Sequence, residues 1–174
     1  MTVVTQGLTD LFTRLGTPER MRQIAAYDLF HPELKTRLDA VATRSAEQLQ
    51  APVSLVSVIL DSSQFILGGH GVSGWVAQAQ GTPAEWSLCT NTVLGGRPYC
   101  VGDNTTDPLH ADNPLLTMTG LRSYAGVPLR DDSGHNLGSH CVLAPEPRDF
   151  TDDDLAVLQQ GADDIMEILA AYRH

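Results

Sequence analysis

The sequence predicts an α+β domain: an antiparallel β-sheet with helices on one or both of its faces. Three observations carry the prediction. Long helical patterns stand early, over residues 31–50, and at the C-terminal end. Between them lie short β-rich runs, notably "APVSLVSVIL" and "QFILGGHGV". Consecutive runs are joined by brief turn-forming segments, as antiparallel neighbours are.

Taken in order, residues 1–30 are weakly patterned, with a short helix expected from Pro18, which suits a first helical turn, to Phe30. In "HPELKTRLDAVATRSAEQLQ", Leu34, Leu38, Val41, Ser45 and Leu49 recur at helical spacing between charged residues. Val53, Leu55, Val56, Val58 and Ile59 mark a buried strand. Asp61–Ser62–Ser63 is a turn, and "QFILGGHGV" completes a hairpin. Residues 73–86 are irregular. Ser87 caps a short helix that ends at Gly95–Gly96. "RPYCVGD" is a strand, "NTTDPLHADNP" a loop, and "PLLTMTG" a short helix stopped by Gly120. "LRSYAGVPLRDDSGHNLGSHCVLA" is a hairpin turning at Asp, Ser and Gly. The last helix opens at Thr151, with Asp152, Asp153 and Asp154 suiting its positive end. Its stripe of Leu155, Leu158, Ala162, Ile165, Leu169 and Tyr172 is either a core face or a dimer seam. The expected organisation is an N-terminal helical extension over 1–30 and one domain over 31–174.

Composition removes several function classes. The chain has 174 residues, 42% hydrophobic, enough to bury a core. A net charge of −10, with 11 Lys and Arg spread along the chain, argues against nucleic acid and against an anionic membrane surface. The start, "MTVVTQGLTDLFTRLG", lacks the pattern of a signal peptide, and no apolar run has the length of a membrane span. Cys89, Cys100 and Cys141 are an odd number without a CxxC. A cytoplasmic protein with reduced thiols is expected.

An ordered series of short patterns resembles the GAF domain, a small-molecule sensory module of bacterial signalling proteins. They are "SLC" at Ser87–Cys89, "PYCVGDNTTDPLHADNP", the 121–143 hairpin and "PRDFTDDDLAVLQQGADD". The resemblance covers about Leu34 to Leu169. It implies a GAF/PAS-like sheet of about six strands, with the terminal helices on one face, where they often form a dimer contact. Short helices and loops would roof a pocket on the other face. The ligand-binding residues it implies are Trp75, Trp86, Cys89, Asp103, Leu115, Met118, Tyr124 and His140. It specifies no cofactor, because family members bind very different ligands.

The pair His140–Cys141 invites a nucleophile-and-base reading. On a strand, however, adjacent side chains point to opposite faces, so the two cannot act on one another. The expectation is that His140 faces the pocket as a polar ligand contact and Cys141 packs on the helix side. His140→Leu should then weaken ligand binding. A shift of one residue in register would exchange the two. Cys89, in the first turn after Ser87, is the thiol a helix dipole would most acidify, and the weak candidate for catalysis. One branch of the family reduces free methionine sulfoxide with loop cysteines, and here no resolving cysteine stands on a loop. The histidines show no metal-ligand spacing.

The leading expectation is therefore a non-enzymatic, stand-alone sensor that binds an unidentified small molecule. It would signal through a homodimer of the terminal helices or through a protein partner. The alternatives are a thiol-based redox enzyme or sensor using Cys89, similar to free methionine sulfoxide reductase, and an interaction scaffold with no ligand.

Overall fold

The computed structural model describes residues 2–174, with side chains from residue 7 onward; Met1, part of the expected extension, lies outside them. The strands are β1 (Val53–Ile59), β2 (Ser63–His70), β3 (Gly81–Pro83), β4 (Tyr99–Val101), β5 (Ser123–Arg130) and β6 (Asn136–Ala144). They form one antiparallel sheet in the order β3-β2-β1-β6-β5-β4. The helices are α1 (Thr2–Leu15), α2 (Pro18–Ala25), α3 (Pro32–Leu49), α4 (Gly74–Ala79), α5 (Leu88–Gly95), α6 (Pro114–Thr119) and α7 (Asp152–Ala170). The α+β architecture is as the sequence predicts, and the six strands are as the resemblance implies.

Helices α3 and α7 pack side by side on one face of the sheet. Leu34, Leu38 and Val41 of α3 and Leu158, Ala162 and Ile165 of α7 close over Val56, Val58, Val127 and Val142. The α7 stripe is thus a core face. Its start is a capping box, with the Thr151 hydroxyl accepting from Asp154 N and the Asp154 carboxylate accepting from Thr151 N. The opposite face is covered by α5, α6 and the end of α1, through Leu15, Ile59, Leu88, Val93, Leu116, Tyr124 and Leu143.

Three local expectations change. Residues 2–15 are helical although weakly patterned, because tertiary contacts hold them: Leu15 is fully buried beside Ile59 and Leu88. The following helix stops at Ala25, short of Phe30. The irregular stretch 73–86 contains α4 and the edge strand β3. Arg20 locks α2 in place. Its buried guanidinium donates to the carbonyl of Leu15 (2.9 Å) at the end of α1 and to those of Asn136, Leu137, Ile59 and Leu60 at the ends of β6 and β1. Burial lowers its pKa to about 10, which leaves it charged at neutral pH.

Candidate functional site

A cavity of about 150 Å³ lies between the sheet and the short helices α4 and α6. Val53 and Leu55 of β1, Ile66 of β2 and Leu143 of β6 form its floor; Val76 of α4 and Leu115 of α6 form its roof. Val53 and Leu55 are only half-buried although β1 is a central strand, because the space above them is open. No ionisable side chain lines the cavity. Its polar atoms come from Gln64, Ser73, Thr82 and Thr119. α4 has no buried residue and ends at Gln80 in the left-handed region, with φ at 57°. A helix held by so few buried contacts is the part of the roof that opens most readily.

Gln64 separates this cavity from a second, fully buried cluster. Its Oε1 accepts from Thr82 Oγ1 (2.9 Å), and its Nε2 donates to Ser57 Oγ (2.8 Å) and lies 3.6 Å from Cys89 Sγ. Cys89 stands in the first turn of α5, its backbone N donating to the Ser87 hydroxyl at 3.2 Å. The Tyr124 hydroxyl donates to Cys89 Sγ at 3.4 Å and bonds Thr92 Oγ1 (2.8 Å) and Ser139 Oγ (3.2 Å). Cys141 Sγ lies 3.8 Å from Cys89 Sγ. Gly126 makes room for this group, since a Cβ there would stand 2.2 Å from the Tyr124 hydroxyl.

The donors around Cys89 set its acidity. Hydrogen bonding from Cys141, joined by Tyr124, outweighs burial and brings the Cys89 thiol below its ordinary range. Burial, followed by the neighbouring Cys89, holds Cys141 well above it. Burial also raises Tyr124, so the phenol stays protonated and remains a donor.

His140 and Cys141 occupy the reverse of the expected faces. His140 points to the helices: its Nε2 accepts from the Ser45 hydroxyl of α3 (2.7 Å), and its Nδ1 donates to the Leu55 carbonyl (3.0 Å). Gly161 of α7 passes so close that a Cβ there would lie 2.7 Å from Nε2. Cys141 points to the roof side. The physical reason is a bulge at Leu137: Leu129 pairs with Gly138 and Arg130 with Asn136. Leu137 therefore joins Val142 in the helix-side core, and alternation counted from Leu137 assigns the wrong face to everything after it.

The other residues named from sequence are dispersed. Leu115 lines the cavity, and Cys89 and Tyr124 lie beyond the Gln64 partition. Trp75 is partly exposed on α4, edge-on to Trp86 at 6.4 Å between ring centres, and neither lines the cavity. Met118 is 55% exposed. Asp103 sits on the outer loop, paired with Arg122 at 2.8 Å; hydrogen bonds from Thr105 and Arg122 keep its carboxyl below the usual range. The residues that sequence reasoning missed, Val53, Leu55, Ile66, Gln64 and Leu143, share the roof side of β1, β2 and β6. Val53 and Leu55 share a face of β1 by their i, i+2 spacing, and no local pattern marks Gln64, Ile66 or Leu143. Among the described residues, no group of three or more His, Cys, Asp or Glu is placed to hold a metal, and no helix is long and apolar enough to cross a membrane.

Comparison with known proteins matches residues 33–169 to the GAF domain. Over 126 residues the chain is 32% identical to a cyclic di-GMP phosphodiesterase of Pseudomonas aeruginosa, an alignment spanning 71% of this chain and 21% of that protein. Among solved structures, the GAF domain of a phosphoenolpyruvate-protein phosphotransferase from Coxiella burnetii superposes with a TM-score of 0.67 at 17% identity, covering 94% of this chain and 95% of that one. Free methionine-R-sulfoxide reductase from Neisseria meningitidis, in complex with its substrate, superposes with a TM-score of 0.64 at 18% identity, covering 89% and 86%. At these identities the shared feature is the fold.

Proposed function

The chain belongs to the GAF domain family, and from that premise we propose that it is a sensory module that binds a small, neutral, mainly apolar molecule in the cavity between β1, β2, β6 and the helices α4 and α6. The observation that carries this reading is the cavity's lining: aliphatic side chains, three hydroxyls and the Gln64 amide, with no charge. A buried ionic ligand would meet no counter-charge there and would lose its hydration. The size sets a second limit. Drug-sized ligands occupy about 300–1,000 Å³, so a cavity of about 150 Å³ suits a molecule of few heavy atoms, or a larger one admitted as α4 lifts.

The relative that acts on cyclic di-GMP is matched over a fifth of its length. A cyclic dinucleotide carries two phosphates, and the cavity supplies no cation to meet them. The reading is therefore regulation by a different, uncharged molecule. Ligand binding would order α4 and α6 and change the packing across β1 and β6, which α3 also touches. The signal would leave through α3 and α7, by a homodimer or a protein partner. Such an output needs a ligand that binds one arrangement more tightly than the other.

A thermal-shift screen of small neutral molecules tests this, since a ligand bound only to the native state raises the melting temperature. Leu55→Phe, which fills the cavity floor, should abolish the shift caused by any hit. A hit that shifts both proteins equally would place the ligand elsewhere.

A further inference from the structure

The buried thiols on the roof side have no part in ligand binding as just described, and their placement points to a chemistry of their own. We propose that Cys89 and Cys141 form a peroxide-oxidisable dithiol, whose intrachain disulfide ties helix α5 to the central strand β6. Three observations carry it. The two sulfurs are in van der Waals contact, 3.8 Å apart, although 52 residues separate them in sequence. The first sulfur accepts from two donors suited to a thiolate, Tyr124 Oη and Gln64 Nε2. The Gln64 amide that contacts Cys89 is also a wall of the cavity, so displacement of that one side chain would open the sulfur to an oxidant of hydrogen peroxide's size.

The steps balance. The Cys89 thiolate attacks one oxygen of hydrogen peroxide, and the O–O bond breaks. Hydroxide leaves and takes a proton to become water, and Cys89 becomes a sulfenic acid. The Cys141 sulfur then attacks the Cys89 sulfur. The S–S bond forms, the S–O bond breaks, and the departing hydroxide takes the Cys141 proton as a second water. Two thiols are oxidised by two electrons, and one peroxide is reduced to two waters. A small dithiol reductant restores the pair by exchange and is itself oxidised to a disulfide. Burial keeps Cys141 protonated while Cys89 reacts, so Cys89 is the sulfur that meets the oxidant first, and the Cys141 proton is the one the departing hydroxide takes.

The exposed Cys100 on β4 would compete by linking two chains, so the test uses a Cys100→Ser background. The folded protein is exposed to hydrogen peroxide, quenched with catalase, denatured and alkylated, then weighed intact and mapped as peptides. The expected result is loss of both alkylatable thiols, a Cys89–Cys141 linked peptide pair, reversal by dithiothreitol, and a raised melting temperature before reduction. In Cys141→Ser, or Cys141→Ala if the serine variant fails to fold, Cys89 should stop at a sulfenic acid trapped by dimedone. Tyr124→Phe should move the midpoint of the oxidation rate's pH profile upward, because a donor to the thiolate is gone. The proposal is overturned if both thiols remain fully alkylatable after peroxide treatment of the folded protein. It is equally overturned if the link forms only after denaturation.

Discussion

His140 and Cys141 are neighbours on one strand, and the two sides of the sheet use them in opposite ways. On the helix side, the imidazole is closed in by Ser45, the Leu55 carbonyl and the bare backbone of Gly161. Both ring nitrogens are satisfied, and the roof-side cavity does not reach them. On the roof side, Cys141 belongs to a chain of thiols and hydroxyls that ends at the Gln64 amide and an open aliphatic cavity. Both groups are buried and polar. What separates a structural group from a chemical one here is access to a space that a small molecule can enter.

Acidification should separate the two sides most strongly. Burial lowers the His140 pKa from 6.5 to about 4. The unfolded chain takes up this proton near pH 6.5, and the folded chain only near pH 4. The stability held by neutral His140 is therefore complete above pH 6.5, falls as the pH drops, and is gone below about 4. The difference corresponds to ~3 kcal/mol. Melting temperatures of the parent and His140→Leu should run closer together as pH falls from 7 to 4. A constant gap would show that His140 does not titrate in this way. The same variant should leave binding in the cavity unchanged, because the sheet lies between them; weakened binding would break the comparison.

Gly161→Ala is the next largest. Its Cβ would stand 2.7 Å from His140 Nε2 and 3.1 Å from Ser45 Oγ. Overpacking of this kind costs roughly 2 kcal/mol, or about 4–8 °C in a domain of this size. Chemical denaturation should record the loss, with the roof side retaining ligand binding and thiol chemistry. A stable Gly161→Ala protein would show that α7 can move off the imidazole.

Tyr124→Phe acts on the other side. It leaves the buried Thr92 and Ser139 hydroxyls without the phenol and takes a donor from Cys89. The stability loss should be about 1–2 kcal/mol, measured by the same unfolding experiment. Native-state alkylation should show a Cys89 thiol of higher pKa. An unchanged thiol with lowered stability would mean that Tyr124 only fills space.

These contrasts also mark what the sequence could disclose. Local signals were legible: the Ser87 and Thr151 caps, the Gly120 stop and the 123–144 hairpin all depend on residues a few positions apart. The face of each strand residue was not. Nearly every residue of β5 and β6 is buried, so neither strand has the apolar-in, polar-out alternation that orients it. The bulge at Leu137 then reverses the count. The Cys89–Cys141 contact and the Arg20 clamp span 52 and up to 117 residues, and no local pattern encodes such pairings. The cavity was legible as a region, between the sheet and the short helices and loops that roof it, but only Leu115 among the named ligand contacts lines it.

Two residues of a single helix offer a test of small amplitude. Leu115 and Met118 stand three residues apart on α6, yet Leu115 faces the cavity and Met118 is 55% exposed. Met118→Ala should change stability by no more than about 0.5 kcal/mol, as substitutions at exposed positions do, and leave the thermal shift by a cavity ligand intact. Leu115→Ala enlarges the cavity, so it should alter which ligands produce a shift, favouring bulkier ones. If Met118→Ala changed ligand selectivity and Leu115→Ala did not, the ligand would lie on the outer surface of α6, and the contrast between a closed helix side and a receptive roof side would have to be redrawn around that surface.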